Sequence, residues 1–295
     1  MADIEIVISE RQNGKYLRDI LRGELKISSG LLTKLKKCDG IKVNGKSVTV
    51  AYKAVKGDIL TVEYPKENSS VIDAVDIPLD IIYEDKYILA VNKPKDMPTI
   101  PSAGNRDNTL ANACMYYFRD TDFVFRPVAR LDRDTTGIVV IAKDARTSAV
   151  ISEQMQKGQF RKTYYAITSG IPKEKSGRID APIGRADGSI LKREVRSDGQ
   201  NAITDYRVID EKDGYALVEI NLLTGRTHQI RVHFSHIGCP LLYDYMYGTE
   251  IPGETLYLHC GRLEFLHPES GLPFVLEVMP EFPIFDNNCK IKLKT

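Results

Sequence analysis

The sequence predicts an α+β protein with a large, mostly antiparallel mixed sheet, preceded by a small α+β module. From residue 80 onward, strand-like segments follow one another with few helices, which favours α+β over a doubly wound parallel fold. Residues 12–64 instead combine helical spacing with a short hairpin. A stretch rich in Pro, Asn and Ser then separates the two parts. We therefore expect a small domain at 1–66, a linker at 67–79 and a large domain at 80–295.

Two short helices are predicted in the small domain. Apolar residues recur at helical spacing over 17–25 and again over 31–35. Ser28 or Ser29 would cap the second helix, because a serine oxygen accepts a hydrogen bond from the free amides of a first turn.

A hairpin and a final strand complete this domain. Asn44 and Gly45 tolerate the positive φ angles of a two-residue turn, which predicts a hairpin over 41–50. The last strand is expected at 59–62. Residues 1–66 hold 13 Lys and Arg against 8 Asp and Glu, although the whole chain carries a net charge of only +1. A basic module on a near-neutral body indicates a polyanionic partner.

Two helices followed by a basic hairpin around Val43–Lys46 (VNGK) resemble the S-four-like RNA-binding domain. The alternative is an ordinary solvated helical face. The resemblance implies that seven basic side chains contact RNA, namely Arg18, Arg22, Lys34, Lys36, Lys37, Lys42 and Lys46.

The large domain is predicted to contain two helices among its strands. Thr109 would cap a helix through Phe118, and a polar helix is expected over 145–156. Apolar and β-branched runs predict strands at 80–83, 87–91, 138–142, 162–168, 202–209, 215–223 and 272–279.

Composition argues against several classes of protein. No apolar run approaches the roughly 20 residues of a membrane helix, and the amino terminus lacks the basic start of a signal peptide. The five cysteines are scattered without a C-x-x-C pair, which argues against a disulfide scaffold and a zinc knuckle. We expect a cytoplasmic protein with reduced thiols and no membrane association.

One loop stands out as a candidate for chemistry. Asp132 lies two residues after Arg130, directly before the apolar strand predicted at 138–142. Nearby guanidinium groups hold a carboxylate ionised, and loops at strand ends commonly carry functional groups. The alternative is a charged, solvated turn.

A second dense segment is Leu222–His233 (LLTGRTHQIRVH). All five histidines lie between His228 and His267, but they lack metal-binding spacing and a nearby cysteine pair. We therefore expect no metal, and histidines that order loops or contact a substrate. Arg231 would supply a cationic partner for a carboxylate, or would form a surface ion pair.

A third segment, Lys162–Ala166 (KTYYA), places two tyrosines on one strand. Because side chains alternate, Tyr164 and Tyr165 face opposite ways, so only one of them can point into a given pocket. A tyrosine offers a stacking surface and a hydroxyl. The alternative is a structural core tyrosine.

Together these motifs resemble the RluA-type pseudouridine synthases. The resemblance covers residues 80–280 in order. It rests on four motifs: Pro78–Pro94 (PLDIIYEDKYILAVNKP), Arg130–Gly137 (RLDRDTTG), Lys162–Ala166 and Gly225–His233 (GRTHQIRVH). Gly238–Pro240, Asp244 and the ending Leu258–Pro268 support it. It implies the pseudouridine synthase fold for 80–295, with an S-four-like companion domain. Two positions depart from the family pattern beside the loop: Ala129 replaces the usual histidine, and Thr136 replaces serine.

The resemblance also implies residue roles. Asp132 would be the catalytic aspartate, Tyr164 the tyrosine that stacks on the target base, and Arg231 the cation paired with Asp132. Ile230 would pack against the base, and Arg130 would fill the gap that the flipped uridine leaves. Three further side chains are expected to bind substrate: Lys162, Arg226 and His228.

The chemistry agrees with these residue types. A base must leave the RNA stack before a protein can reach its glycosidic bond, and one ionised carboxylate can stabilise the positive character that develops on the sugar. No water is activated and nothing is oxidised, so we expect no cofactor. Asp134 is interpreted as a loop residue or salt-bridge partner and not as a second catalytic carboxylate.

We therefore predict an RNA pseudouridine synthase that acts on structured RNA as a monomer, without an obligate protein partner. Ribosomal RNA is the expected substrate and transfer RNA the alternative. A non-catalytic RNA-binding or RNA-folding factor on the same scaffold and a base-releasing hydrolase are the rival hypotheses.

Overall fold

The computed structural model describes residues 4–64, except Lys26 and Ser28, and residues 72–285. The chain divides into two units, Met1–Val71 and Ile72–Thr295. The first part of the predicted linker lies outside the described residues. Its remainder belongs to the second unit, where Ile72, Ile77 and Leu79 pack against the core.

The first unit contains a four-stranded antiparallel sheet in the order β1-β4-β2-β3. Its strands are β1 (Ile4–Val7), β2 (Ile41–Val43), β3 (Lys46–Ser47) and β4 (Ile59–Val62). The predicted hairpin is confirmed: Asn44 and Gly45 take φ angles of 50° and 77°, as its tight turn requires. It is shorter than predicted, and β1 was not predicted.

Two helical segments cover the core of this unit. Helix α1 (Leu17–Asp19) continues into a π-helical turn over Ile20–Glu24, and α2 spans Ser29–Lys37. Leu17, Ile20 and Leu21 are fully buried, which confirms the predicted helical stripe. The alternative cap, Ser28, lies outside the described part of the chain.

The second unit is built on a nine-stranded sheet in the order β5-β6-β7-β14-β8-β13-β12-β9, with β15 also paired to β14. The pair β7–β14 is parallel, and the other recorded pairs are antiparallel. The predicted fold class is therefore confirmed. The elements are β5 (Ile81–Glu84), β6 (Ile88–Lys93), α3 (Leu110–Tyr117), β7 (Thr136–Ala142), α4 (Ala145–Gln156), β8 (Arg161–Ser169), β9 (Ser176–Asp180), β10 (Ile183–Arg185), β11 (Arg193–Val195), β12 (Ile203–Lys212), β13 (Tyr215–Leu222), α5 (Gln229–His236), β14 (Leu258–Leu266) and β15 (Pro273–Glu277).

Strand β8 has a different core on each face. Tyr164 and Ala166 belong to the main hydrophobic cluster, whereas Tyr165 and Ile167 belong to a second cluster with Phe282. This confirms the predicted opposition of the two tyrosines, because successive side chains of a strand alternate between faces.

Helix α5 is an element that the sequence did not predict. Its residues from Gln229 to Phe234 are all buried, so it lacks the one-sided apolar stripe of a surface helix. Instead Ile230, Val232 and Phe234 alternate with polar residues, a pattern that conceals the helix.

Gly137, the second residue of β7, has a φ of 106°. A Cβ at this position would overlap the backbone of Cys260 in the parallel neighbour β14, so only glycine fits. The loop containing Asp132 is thereby held against the start of β14.

None of the helices in the described part of the chain has the length and hydrophobicity needed to span a bilayer.

Candidate active site

A cleft of about 410 Å³ opens in the second unit, a volume typical of small-molecule sites. It is lined by the loop before β7, by β8, by the end of β13, by the first turn of α5 and by the start of β14. The structure brings together in this cleft all the site residues predicted in the large domain: Arg130, Asp132, Lys162, Tyr164, Arg226, His228, Ile230 and Arg231.

The loop that carries Asp132 is fixed by a buried threonine. The Thr99 hydroxyl donates to the Leu131 carbonyl at 2.7 Å and accepts from the Leu131 amide at 3.1 Å. The Thr135 amide donates to the Asp132 carbonyl at 3.2 Å, which closes the turn. Both polar backbone groups of Leu131 are therefore satisfied, and the residue next to Asp132 is held in place.

A buried lysine supports the same loop. Lys93 is wholly buried, and its ammonium donates to the carbonyls of Met97 and Arg133 at 2.8 and 3.0 Å. Burial lowers the pKa of Lys93 to about 8, although the charges of Asp134 and Asp132 act in the opposite direction. Lys93 thus ties the end of β6 to the loop that carries Asp132. Asp134 is buried and pairs with Arg133 at 2.9 Å, which confirms its interpretation as a salt-bridge partner.

The side chain of Asp132 remains 42% exposed, and His228 Nε2 lies 3.8 Å from its Oδ2 atom. His228 precedes α5 with a left-handed backbone, and its Nδ1 atom lies 2.8 Å from the Tyr247 hydroxyl. Burial lowers the pKa of His228, with Asp132 raising it and Arg231 lowering it. His228 is therefore neutral at pH 7, and its contact with Asp132 is not an ion pair there.

Arg231 does not pair with Asp132, so this part of the prediction was wrong. Its guanidinium instead makes two hydrogen bonds of 2.7 Å to Asp244, and both side chains are almost wholly buried. A buried guanidinium requires a carboxylate at hydrogen-bond distance, and Asp244 provides it from inside the core. Burial lowers the pKa of Arg231, but the hydrogen bonds and charge of Asp244 raise it above its usual value, and the charge of Asp132 adds a smaller effect in the same direction.

Tyr164 lines the cleft as a neutral phenol. Its side chain is buried, and burial raises its pKa well above the usual value. Its hydroxyl interacts with the Cys260 thiol, whose pKa burial raises to about 12. The ring is therefore available for stacking, and the hydroxyl keeps its proton at neutral pH.

Three further cations lie in the cleft wall. The Arg226 side chain donates to the Asn201 carbonyl at 2.9 Å. The side chains of Arg130 and Lys162 make no hydrogen bond or ion pair with another residue in the described part of the chain. Arg130 is exposed, whereas Lys162 is partly buried. Within the described residues, no three His, Cys, Asp or Glu side chains are grouped so that they could hold a metal ion.

Comparison with known proteins identifies the family. The model of the RNA pseudouridylate synthase family matches residues 87–236, about half of the chain, and this range contains every cleft residue predicted in the large domain. A ribosomal large subunit pseudouridine synthase D of Zymomonas mobilis is 38% identical over 239 residues, which cover 75% of each chain. The chain belongs to the RluA-type RNA pseudouridine synthases. It is therefore an isomerase.

Other relatives agree with this assignment. The uncharacterized RNA pseudouridine synthase YjbO of Bacillus subtilis is 40% identical over 253 residues, covering 83% of this chain and 89% of that one. Among solved structures, human RNA pseudouridylate synthase domain containing 1 aligns with a TM-score of 0.59 and 26% identity, over 72% of this chain and 86% of the human one.

Several supporting residues of this synthase were missed from the sequence. Gln229 is buried, and its Oε1 atom accepts from the Thr224 hydroxyl at 2.8 Å and the Arg226 amide at 3.0 Å. Its Nε2 atom donates to the Ile203 carbonyl at 3.0 Å. Gln229 thus fixes the turn before α5. Gln229 belongs to the Gly225–His233 motif, but a sequence motif does not show which polar groups the side chain can reach in the fold.

The basic residues predicted to contact RNA lie in the first unit. All of them are exposed except Lys42, which is partly buried and pairs with Glu63 at 2.7 Å. Arg18 lies 3.5 Å from Asp19. The pairing of Lys42 leaves it less available to a phosphate than the exposed Lys36 and Lys37 of α2.

Proposed function

We propose that this synthase converts uridine to pseudouridine in structured ribosomal RNA, with Asp132 as the catalytic group and the target base flipped out of the stack. The observation that carries the proposal is the cleft itself. It combines a half-exposed carboxylate, Asp132, with the buried aromatic ring of Tyr164 and with cations, Arg130 and Lys162, whose side chains have no partner among the described residues.

The size of this cleft supports flipping of the target base. Asp132 is held by a loop and Tyr164 is buried, so neither can reach a base inside a helix. A flipped nucleotide fits a volume of about 410 Å³ and can stack on an aromatic side chain. Arg130, exposed beside Asp132, is suited to occupy the gap left in the RNA.

The reaction places positive character on the ribose when its bond to the base breaks. Among the described residues, only His228 lies at salt-bridge distance from the Asp132 carboxylate. Because burial lowers the pKa of His228, this histidine does not neutralise Asp132 at pH 7, and the carboxylate charge remains available to the sugar. Ile230 and Tyr164 would hold the detached uracil in the cleft, with Arg226 and His228 contacting the nucleotide. Retention of the base allows it to turn and rejoin through carbon five.

The substrate assignment rests on the relatives and on charge. A relative that is 38% identical is named a ribosomal large subunit pseudouridine synthase. Residues 1–66 have a basic excess, and their exposed lysines would act as an S-four-like RNA-binding domain. The proposed enzyme works in the cytoplasm as a monomer.

The test is tritium release from ribosomal RNA labelled at uracil carbon five, with labelled transfer RNA in parallel. Wild-type protein should release tritium from ribosomal RNA without producing free uracil, and Asp132→Asn should not. Asp120→Asn is the matched control, since its side chain is 88% exposed and does not line the cleft. Release of free uracil would indicate a hydrolase, and release from neither RNA would leave a binding factor. Release from transfer RNA alone would change the substrate.

A further inference from the structure

The amine of Lys162 is a cation of the cleft without a compensating charge. It lines the same cavity as Asp132, and it makes no hydrogen bond or ion pair with any residue that the structure describes. Burial lowers the pKa of Lys162, so keeping it charged costs folding free energy. The stability of the fold therefore does not explain why a lysine occupies position 162.

The three arginines of the cleft differ from Lys162 in their surroundings. Arg231 is neutralised by Asp244, and the Arg226 side chain is engaged by the Asn201 carbonyl. Arg130 is exposed. Among the cleft residues that the structure describes, Lys162 is therefore the cation that is partly buried and has no compensating charge. Asp132 is the carboxylate of the same cleft.

Strand geometry places this cation beside the stacking ring. Lys162 and Tyr164 are two residues apart on β8, so their side chains lie on the same face of the strand. Both line the cleft. A base stacked on Tyr164 would have the Lys162 ammonium as its neighbour.

We propose that Lys162 is a catalytic residue that stabilises the negative charge of the uracil ring when its bond to the ribose breaks; this rests on the function proposed above. The C1′–N1 bond breaks, and its electron pair passes to N1 and spreads over the two ring carbonyls. Lys162 donates a hydrogen bond to the ring and keeps its proton, while Asp132 faces the positive sugar. The ring then turns, and carbon five bonds to C1′. Carbon five gives its proton to water, and N1 takes up a proton from water. The step is an isomerisation and needs no co-reactant.

This role predicts an effect on rate and not on binding. The uracil of bound RNA is neutral and becomes anionic only as the bond breaks, so the ammonium interacts more strongly with the transition state than with the substrate. Lys162 lies inside the cleft and would contribute little to holding the RNA backbone.

The experiment compares Lys162→Met, Lys162→Gln and Lys162→Arg with wild type in single-turnover tritium release at saturating RNA. We expect Met and Gln to lower the rate ~100-fold, as removal of one oxyanion donor does, and Arg to restore most of it. The RNA dissociation constant should be unchanged. The melting temperature of Lys162→Met should be no lower than that of wild type, because an unpaired buried charge has been removed.

The pH profile provides an independent readout. The wild-type rate should fall as pH rises through the lowered pKa of Lys162, and Lys162→Arg should keep its rate there, since arginine stays charged. Tyr164 and Cys260 have raised pKa values and His228 a lowered one, so they do not account for this difference. Both proteins act on the same RNA, so titration of its bases cancels.

A folded Lys162→Met or Lys162→Gln protein with a rate close to wild type would overturn the inference and leave the proposed function intact. An inactive wild-type protein would instead contradict the proposed function itself. If Lys162→Met does not fold, Lys162→Gln decides the outcome by the same comparison.

Discussion

The guanidinium of Arg231 donates two hydrogen bonds of 2.7 Å to the carboxylate of Asp244, and neither side chain reaches solvent to any extent. The amides of Met246 and Tyr247 donate to the same carboxylate at 3.0 and 3.1 Å. The pair is electrically neutral and fully hydrogen-bonded on the Asp244 side. Arg231 lines the cleft, but its charge is balanced by Asp244, so it does not pair with the Asp132 carboxylate.

Asp244→Asn should destabilise the protein by about 3–5 kcal/mol, because it leaves the Arg231 charge buried without its partner. Urea denaturation followed by fluorescence or circular dichroism measures the loss. Asp205→Asn is the matched control: Asp205 makes a similar two-bond pair with Arg178 at 2.6 and 2.8 Å, but the Arg178 side chain is 56% exposed and that of Asp205 is 36% exposed. That change should cost about 1 kcal/mol or less. Equal losses would contradict the importance of burial.

Thr99→Val should slow the reaction by about 10- to 100-fold, because the loop that presents Asp132 loses its anchor. The change keeps the shape of the side chain but leaves the two buried polar groups of Leu131 without a partner. We also expect a loss of about 1–3 kcal/mol in unfolding free energy. Thr99→Ser retains the hydroxyl and should remain near wild type. A Thr99→Val protein with the wild-type single-turnover rate would show that the anchor does not position Asp132.

The free energy of unfolding should fall when the pH is lowered from 7.5 to 5.5. Burial lowers the pKa of His228, His233 and His259 below the usual 6.5. The unfolded chain therefore takes up protons first as the pH falls. The stabilising contribution is present in full above 6.5 and is lost below it. Buried carboxylates with lowered pKa values lose their contribution only in more acidic solution.

His233 provides the specific test of this pH effect. Its ring is wholly buried, with Nε2 2.9 Å from the Ala181 carbonyl and Nδ1 2.9 Å from the Thr204 hydroxyl. His233→Gln should lower stability at both pH values and reduce the difference between them. Urea midpoints at the two pH values measure both effects. A variant with an undiminished pH difference would exclude His233 as a contributor.

Replacing Lys34, Lys36 and Lys37 of α2 with Gln should weaken RNA binding without changing the rate at saturating RNA. Each lost phosphate contact should reduce the slope of log affinity against log salt by about 0.7–0.9. Filter binding over a range of KCl concentrations measures the slope. Lys157→Gln with Lys175→Gln is the control, since these exposed lysines lie in the second unit and pair with glutamates. An unchanged slope would contradict an RNA-binding role for α2.

The sequence predicted much of the fold because strong local patterns survive in it. The polar helix α4 matches its predicted bounds, with Asp144 accepting from the Thr147 amide at its first turn. Period-two alternation correctly separated Tyr164 from Tyr165. Strand β14 was missed as an element, because Gly261 and several charged residues interrupt its apolar pattern.

The candidate site was predicted as a set of residues and not as a set of contacts. Thr99 reaches Leu131 across 32 residues, and Lys93 reaches the Arg133 carbonyl across 40. Both contacts depend on the pairing of β6 with β7. The partner of Arg231 depends on α5, which buries the arginine beside Asp244. Such partners follow from tertiary packing, which local sequence patterns do not contain.

The most direct test of the central claim is to map pseudouridines in the ribosomal RNA of cells that lack this gene, complemented with wild-type protein or with Asp132→Asn at equal levels. Specific pseudouridines should disappear on deletion, return with the wild-type protein and stay absent with Asp132→Asn. Restoration of the same pseudouridines by Asp132→Asn would contradict the catalytic role of Asp132.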